Sequence, residues 1–313
     1  MGRRLISIVT PCFNEEANVA EHLRRVRAAA APFKGEFDFE HIYTDNCSSD
    51  RTFELLRGLG AEDPAVKALR FSRNIGANRA IAMGLGRAKG DAVVLIQADL
   101  QDPPELIADF IAGWKEGWDV VYGRIERREE GVLGQALRRL YYRLIARLSD
   151  APVHLDAGEF RLASRRALDA MLSSAEDDLY LRGMAAAVGF KQKAIPYRRA
   201  ARAGGTSSQG PFDLLRYAAN GLLSTSTAPI RMVTLAGFWL AALGFLLTAV
   251  LVASKFLLPG QAPRGITMLA TLIAFFSGAQ LFAIGIIGEY IRKIFVQTLR
   301  VPRGFVADTV NLP

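Results

Sequence analysis

Two charge-free runs near the carboxyl end constrain this chain more than any other feature. There are 23 residues between Arg231 and Lys255 (MVTLAGFWLAALGFLLTAVLVAS) and 24 between Arg264 and Glu289 (GITMLATLIAFFSGAQLFAIGIIG). As helices rising 1.5 Å per residue, each covers roughly 35 Å, enough for a bilayer core. Pro259, Gly260, Pro263 and Gly265 punctuate the connection. Paired runs of this length are rare in soluble cores, so the pattern predicts a transmembrane hairpin over 229–295. A hairpin also explains a mean hydropathy of +0.16 in a chain with 22% charged residues.

Basic residues near the runs set an expected orientation. Lys255 and Arg264 flank the connection, whereas Arg216, Arg231, Arg292, Lys293, Arg300 and Arg303 lie on the opposite side. The positive-inside rule then places both termini in the cytoplasm, with the chain in the plasma (inner) membrane. LISIV, after Gly2-Arg3-Arg4, is too short for a secretory signal. Cys12 and Cys47 make neither a disulfide framework nor a zinc set, which suits a reducing compartment. His22, His41 and His154 are scattered, against a His-rich metal site.

The net charge of +8 is uneven. Residues 1–110 hold 14 basic and 16 acidic side chains, a balance of −2, so the remainder holds 25 and 15, a balance of +10. That excess flanks the apolar runs and points to an anionic membrane surface. Nucleic-acid binding would call for a basic patch interleaved with aromatics and is not expected. Residues 134–149 (GQALRRLYYRLIARLS) read as a basic amphipathic helix lying on that surface, and 211–227 as a second interfacial helix.

The first 125 residues alternate strand and helix. Strands are predicted at 6–10, 39–44, 66–72, 91–96 and 118–123, and helices at 16–30, 50–59, 76–88 and from Pro103-Pro104. Such alternation implies a mostly parallel α/β sheet covered by helices, with ligands beyond the carboxyl ends of the strands. Four polar motifs sit at those ends: Pro11-Cys12-Phe13-Asn14-Glu15-Glu16, Asp45-Asn46-Cys47-Ser48-Ser49-Asp50, Ser72-Arg73-Asn74-Ile75-Gly76 and Ala98-Asp99-Leu100-Gln101-Asp102-Pro103-Pro104-Glu105. Asn14 and Glu15 alone read first as helix capping. Asp99 and Gln101, two apart in an extended turn, can offer two oxygens to a hard divalent cation such as Mg²⁺. Arg182, Lys191, Lys193, Arg198, Arg199 and Arg202 form a stretch without an acidic residue, read as a clamp for phosphates.

In this order, PCFNEE, DNCSSD, SRNIG and ADLQDPPE resemble the Rossmann-like GT-A domain of glycosyltransferase family 2. With LDAGEFRL (155–162), YLRGMAAAVGF (180–190) and the two apolar runs, the chain is similar to the polyprenyl-phosphate glycosyltransferases of that family. Dolichyl-phosphate mannose synthases and bactoprenyl-phosphate glucosyltransferases belong to this group. The resemblance implies a nucleotide pocket lined by Pro11, Phe13, Asn14 and Glu15, with Asp45 reading the base or ribose. It implies Arg73, Asn74, Gln97, Ala98 and Asp99 beside the donor, and Asp99 with Gln101 holding Mg²⁺ or Mn²⁺ at the diphosphate. Asp156 is implied as the catalytic acid facing the acceptor, with Arg161, Arg199 and Arg202 on phosphates.

Three departures stand out. Gln97 replaces the first Asp of an Asp-x-Asp-x-Gln motif, Asn46 the second Asp of an Asp-Asp pair, and Ser207-Ser208 a Lys-Tyr pair. The first two remove negative charge near the donor.

The resemblance implies four regions: a nucleotide-sugar-binding core (1–130), an acceptor-side region with interfacial helices (131–228), the hairpin (229–295) and a cytoplasmic tail (296–313) without readable signals. It implies inverting transfer of a sugar from a nucleoside diphosphate, of the UDP class, to polyprenyl phosphate on the cytoplasmic leaflet. It also implies a homo-oligomer, a tetramer by analogy. A processive polysaccharide synthase is the nearest alternative, but Trp114, Trp118 and Trp239 all lack the preceding Arg of its Gln-x-x-Arg-Trp motif. A non-catalytic nucleotide-sugar-binding membrane partner is a further alternative.

Overall fold

The computed structural model describes residues 2–125, 157–173, 188–199, 228–257, 265–298 and 304–312. The chain divides into two compact units, Met1–Arg147 with Ala151–Tyr217 and Arg300–Pro313, and Leu148–Asp150 with Ala218–Leu299.

The first unit is built on strands β1 (Arg4–Cys12), β2 (Phe37–Asp45), β3 (Val66–Phe71), β4 (Ala92–Leu95), β5 (Val120–Ile125), β6 (Ala157–Ser164), β7 (Gln192–Tyr197) and β8 (Val306–Val310). Its helices are α1 (Val19–Ala30), α2 (Thr52–Glu62), α3 (Ala77–Arg87), α4 (Ile107–Lys115) and α5 (Arg165–Leu172). Among the described residues the strands form one eight-stranded sheet in the order β7-β5-β6-β4-β1-β2-β3-β8. β1 pairs parallel to both β2 and β4, and β2 parallel to β3. β6 runs antiparallel between β4 and β5, and β8 antiparallel along β3.

The pleat sorts apolar side chains onto two faces with a period of two. Val9, Val93 and Leu95 pack with Ile81 and Leu85 of α3 and Leu168 and Met171 of α5. Ile6, Ile8, Val94 and Ile96 pack on the other face with Val26 of α1 and Ile107, Phe110 and Ile111 of α4. Both faces are covered, which is why β4 (AVVL) is buried throughout. α1 buries Val19, His22, Leu23, Val26 and Ala30, a helical stripe at three- and four-residue spacing. Each large side chain withdrawn in this way stabilises the fold by about 1.5–3 kcal/mol.

In the second unit both apolar runs are helical: α6 (Ala228–Leu257) has 30 residues and α7 (Ile266–Thr298) has 33. Leu235, Phe238, Trp239, Leu246, Leu269 and Leu281 are each more than half exposed in the single chain. Counted over the described residues, no helix is long and apolar enough to cross a membrane. The predicted hairpin thus draws no support from that count. What the structure supplies is the helical state of both runs. The predicted amphipathic segments 134–149 and 211–227 lie outside the described residues.

Two buried histidines make the core sensitive to acid. Burial pushes His22 down to about 3 and His41 down to about 4. His22 Nδ1 lies 3.1 Å from the Tyr43 hydroxyl, while His22 Nε2 and His41 Nδ1 are buried without a hydrogen-bond partner. Between those values and about 6.5, the folded chain binds fewer protons than the unfolded chain, so stability falls as pH drops through that window. Each histidine contributes a loss of about 1.4 kcal/mol per pH unit there. Thermal unfolding of the full chain in detergent should therefore show a midpoint falling between pH 6.5 and 4.5, with a shallower fall in His41→Gln.

Candidate functional site at the strand ends

With the order β3-β2-β1-β4, the chain reverses its direction of travel across the sheet between β1 and β4, the place where open α/β sheets bind ligands. The loops leaving β1, β2, β3 and β4 all open on this edge. Their backbone groups need partners, and the polar motif residues supply them.

The Asn14 N–H donates to Ser48 Oγ at 2.9 Å, and Asn14 Oδ1 accepts from the Ser49 N–H at 2.9 Å. The Glu15 N–H donates to Thr52 Oγ1 at 2.9 Å. These bonds lace the β1 loop to the start of α2. Asp45 ends β2 fully buried, its Oδ1 accepting both the N–H (3.1 Å) and the hydroxyl of Ser48. Its Oδ2 has no hydrogen bond and lies 3.6 Å from Arg70 Nε. Burial raises the Asp45 carboxyl above the ordinary range, partly offset by Ser48 and Arg70. Asn46 Nδ2 donates to Asn74 Oδ1 and Asn46 Oδ1 accepts from the Ile75 N–H, both at 2.9 Å. One amide thus ties the β2 loop to the β3 loop in both directions.

Backbone strain concentrates on the same edge. Asn14 (φ 56°), Cys47 (φ 64°) and Leu100 (φ 57°) occupy the left-handed region, one in each loop after β1, β2 and β4. For Leu100 this costs roughly 1–2 kcal/mol, and it lies between Asp99 and Gln101, whose N–H donates to Asp99 Oδ1 at 3.2 Å.

A small cavity of about 80 Å³ beside this turn is lined by Gln97, Asp99, Asp102, Glu159, Tyr197 and Arg199, among others. Gln97 Nε2 donates to Glu159 Oε2 at 2.8 Å. Buried Asp102 accepts from the Tyr197 hydroxyl at 2.5 Å and pairs with Arg199 Nε at 3.0 Å. Burial raises the Asp102 carboxyl, while Arg199 and Tyr197 pull it back. Among the described residues no three His, Cys, Asp or Glu side chains form a metal group. The polar side chains around the cavity offer oxygen rather than sulfur or imidazole, a donor set that fits a hard cation held by one or two protein groups and completed by substrate phosphates.

The structure brings most of the expected residues to this edge, with differing access. Phe13, Asn14, Arg73 and Asn74 are exposed, Gln97, Asp99 and Gln101 half-buried, and Pro11, Glu15, Asp45 and Ala98 buried. The Glu15 carboxylate accepts from Asn18 Nδ2 at 2.6 Å. Arg161 is buried within β6, with Nη2 donating to the Gly158 carbonyl at 2.9 Å and Nε to that of Glu159 at 3.2 Å. Arg199 stands beside the cavity on Asp102. Asp156, Arg202, Ser207 and Ser208 lie outside the described residues. Sequence reading missed Asp102, Glu159 and Tyr197 as site-lining groups; ADLQDPPE and LDAGEFRL carried the first two. Cys12 is buried and its thiol is pushed up by that burial, so it is not a reactive group.

An α/β sheet of this order, with polar loops converging at its switch point, is a ligand-binding architecture. The profile of the Glycosyl transferase family 2 domain matches residues 7–172. An uncharacterized glycosyltransferase of Bacillus subtilis, YkcC, is 36% identical over 290 residues, covering 92% of this chain and 89% of that protein. The bactoprenol glucosyl transferase of Shigella phage SfV is 33% identical over 304 residues, covering 97% and 98%. Among solved structures, glucosyl-3-phosphoglycerate synthase from Mycobacterium tuberculosis in complex with Mn²⁺, UDP and phosphoglyceric acid aligns with a TM-score of 0.44 and 21% identity, covering 70% of this chain and 76% of that one. The chain belongs to glycosyltransferase family 2, and it is a glycosyltransferase.

The Asn46 amide gives a direct test of the loop network. In Asn46→Asp the donor to Asn74 is lost and two acceptors face each other. The folded state should lose about 1–2 kcal/mol, read as a lower thermal midpoint, even though the change restores the family's usual carboxylate.

Proposed function

We propose that this glycosyltransferase moves a sugar from a nucleoside diphosphate sugar, a UDP-sugar being the first to test, to polyprenyl phosphate at the cytoplasmic leaflet. The single observation that carries the acceptor is near full-length similarity to proteins named bactoprenol glucosyl transferase, 33% identical over 95–97% of this chain. In this reading α6 and α7 cross the bilayer, as the uncharged runs and the exposed apolar side chains along them favour. β8, after the two helices, pairs with β3, before them. Residues on both sides of the helices therefore share one sheet, which supports an even number of crossings and a tail on the catalytic side.

The donor occupies the edge over β1 and β4. Phe13, 43% exposed among polar neighbours, offers a ring face for a base. Asp99 and Gln101 would hold a divalent cation, which supplies charge neutralisation to the departing diphosphate. A terminal oxygen of the acceptor phosphate attacks the anomeric carbon as the bond to the diphosphate breaks. The electron pair leaves on the diphosphate, and configuration inverts. The transition state is oxocarbenium-like. The second pKa of a phosphate monoester is about 6, so the nucleophile is already largely dianionic near neutral pH. Asp156 then orients the acceptor, with Arg199 and Arg202 offering guanidinium contacts to phosphate and Arg161 bracing the Gly158–Glu159 backbone at the cavity.

Membranes carrying the full chain, supplied with polyprenyl phosphate and a panel of labelled nucleotide sugars, should form a metal-dependent lipid-phosphate sugar. Absence of product with every donor would overturn the proposal. Asp99→Ala should lower kcat at least about a hundredfold, an effect of the size of one lost transition-state charge contact; a wild-type rate would remove Asp99 from the metal site. Asp156→Asn should lower kcat with little change in donor KM, and an unchanged rate would leave Asp156 without a catalytic role.

A further inference from the structure

We propose that the carboxyl-terminal segment Gly304–Asn311 is a positioning element for the donor loop Ser72–Gly76, holding it through Phe305, Gly304 and Val306. The inference rests on the reading of that loop as part of the donor site. The tail carries no readable motif, yet the structure folds it into the catalytic unit.

β8 pairs with β3 through Ala68↔Val310, Leu69↔Thr309, Arg70↔Asp308 and Phe71↔Val306. The pairing does not stop at the strand. The Ser72 N–H donates to the Phe305 carbonyl at 2.9 Å, so the ladder reaches the first residue of the loop. Beyond it, Gly304 lies against Ile75: a Cβ at 304 would meet Ile75 Cδ1 at 2.7 Å. Val306 packs on the buried cluster of Phe71, Ile75 and Ala80. Ile75 is thus fixed by its side chain to the tail and by its N–H to Asn46, with Asn74 held between Asn46 and the Gly76 N–H. Without the tail, β3 would be an unpaired edge and the loop would lose one of its two walls.

The far end of the segment is anchored independently of the loop. Val310 sits against Gly60 of α2, where a side chain would collide with it. Asn311 Nδ2 donates to the carbonyls of Gly60 (2.7 Å) and Val66 (2.8 Å). Arg57 and Asp308 pair at 2.5 Å on the surface. Undocking the anchor therefore perturbs the donor loop without touching any residue placed beside the donor. α7 leads in sequence into this brace, so the segment after the second apolar helix sets the geometry of a loop that the chain forms before the first.

The test uses the full chain in nanodiscs with three variants: Asn311→Ala, Gly60→Val, and the charge exchange Arg57→Asp with Asp308→Arg. Hydrogen exchange at the Ser72–Gly76 peptide, Kd for UDP and GDP, and donor KM against kcat are read for each. Asn311→Ala and Gly60→Val should raise exchange at that peptide and weaken donor KM and nucleotide Kd about fivefold, the effect of about one lost hydrogen bond. kcat at saturating donor and acceptor KM should stay within about twofold on the same scale. The charge exchange keeps the Asn311 anchor but sets an arginine at position 308 opposite Arg70, so it should raise exchange less than the two undocked variants. Exchange in the core strands β1 and β4 that stays at the wild-type level in all three separates undocking from a general loss of folding.

Exchange unaffected by undocking would overturn the brace, as would faster exchange with donor KM and nucleotide Kd unchanged. If wild type transfers no sugar from any donor, the functional reading fails while the exchange result still judges the brace.

Discussion

Parallel strands that end side by side leave a row of loop backbone groups that cannot pair within the sheet, and the rest of the site depends on how they are satisfied. Each loop uses its neighbour. Asn14 donates to Ser48 and accepts from Ser49 between the first and second loops, and Asn46, Asn74 and Ile75 bond between the second and third. Backbone donors tied to side chains of the next loop cost little further ordering when a ligand arrives, since their conformational entropy is already lost on folding. The left-handed conformations at Asn14, Cys47 and Leu100 fit the same picture. Strain of this size persists where surrounding contacts over-determine the backbone, which is common at binding sites.

The sheet closes each of its edges differently. β7 carries Pro196 and stands at one end of the order, where a residue without an N–H removes no ladder bond inside the sheet. β3 is covered by β8 at the other end. Two antiparallel additions, β6 and β8, thereby complete a parallel core that would otherwise expose unpaired groups at β4 and β3. β6 also brings Gly158 and Glu159 to the cavity beside the turn after β4.

What was legible in the sequence follows from range. The alternation of strand and helix through residue 125 is local, and the predicted elements match β1 to β5 and α1 to α4 with shifts of a few residues at their ends. The edge carrying Pro11–Glu15, Asp45 and Asp99 follows directly from that alternation. β6 is hidden because LDAGEFRL stands out as a family motif rather than as a strand, and its insertion between β4 and β5 is a long-range event without a local signature. β7 (QKAIPY) lies in the stretch whose basic residues dominate its reading as a phosphate clamp. VADTV is short, and only pairing with β3, distant in the chain, makes it a strand. For Arg161 the family resemblance implies a phosphate contact and carries no information on its setting in the sheet. Its burial opposite Leu95 and Tyr122 depends on tertiary packing, whereas its bonds to the Gly158 and Glu159 carbonyls are local to β6.

The two amides that replace family carboxylates share one physical consequence. A carboxylate only accepts hydrogen bonds, whereas an amide accepts and donates. Gln97 uses its donor on Glu159, linking the end of β4 to β6, and Asn46 uses both functions to link the second and third loops. An aspartate at either place could not make the donated bond, and at position 97 it would face the Glu159 carboxylate across a small cavity. On the proposed donor reading, the two amides exchange negative charge near a diphosphate for fixed loop geometry. Less acidic charge repels the incoming diphosphate less, but it also leaves a cation with fewer protein anions, so the cation depends more on the phosphates themselves. On that reading metal and nucleotide should bind together rather than metal first, because the other carboxylates at the cavity are already engaged, Asp102 by Arg199 and Tyr197 and Glu159 by Gln97.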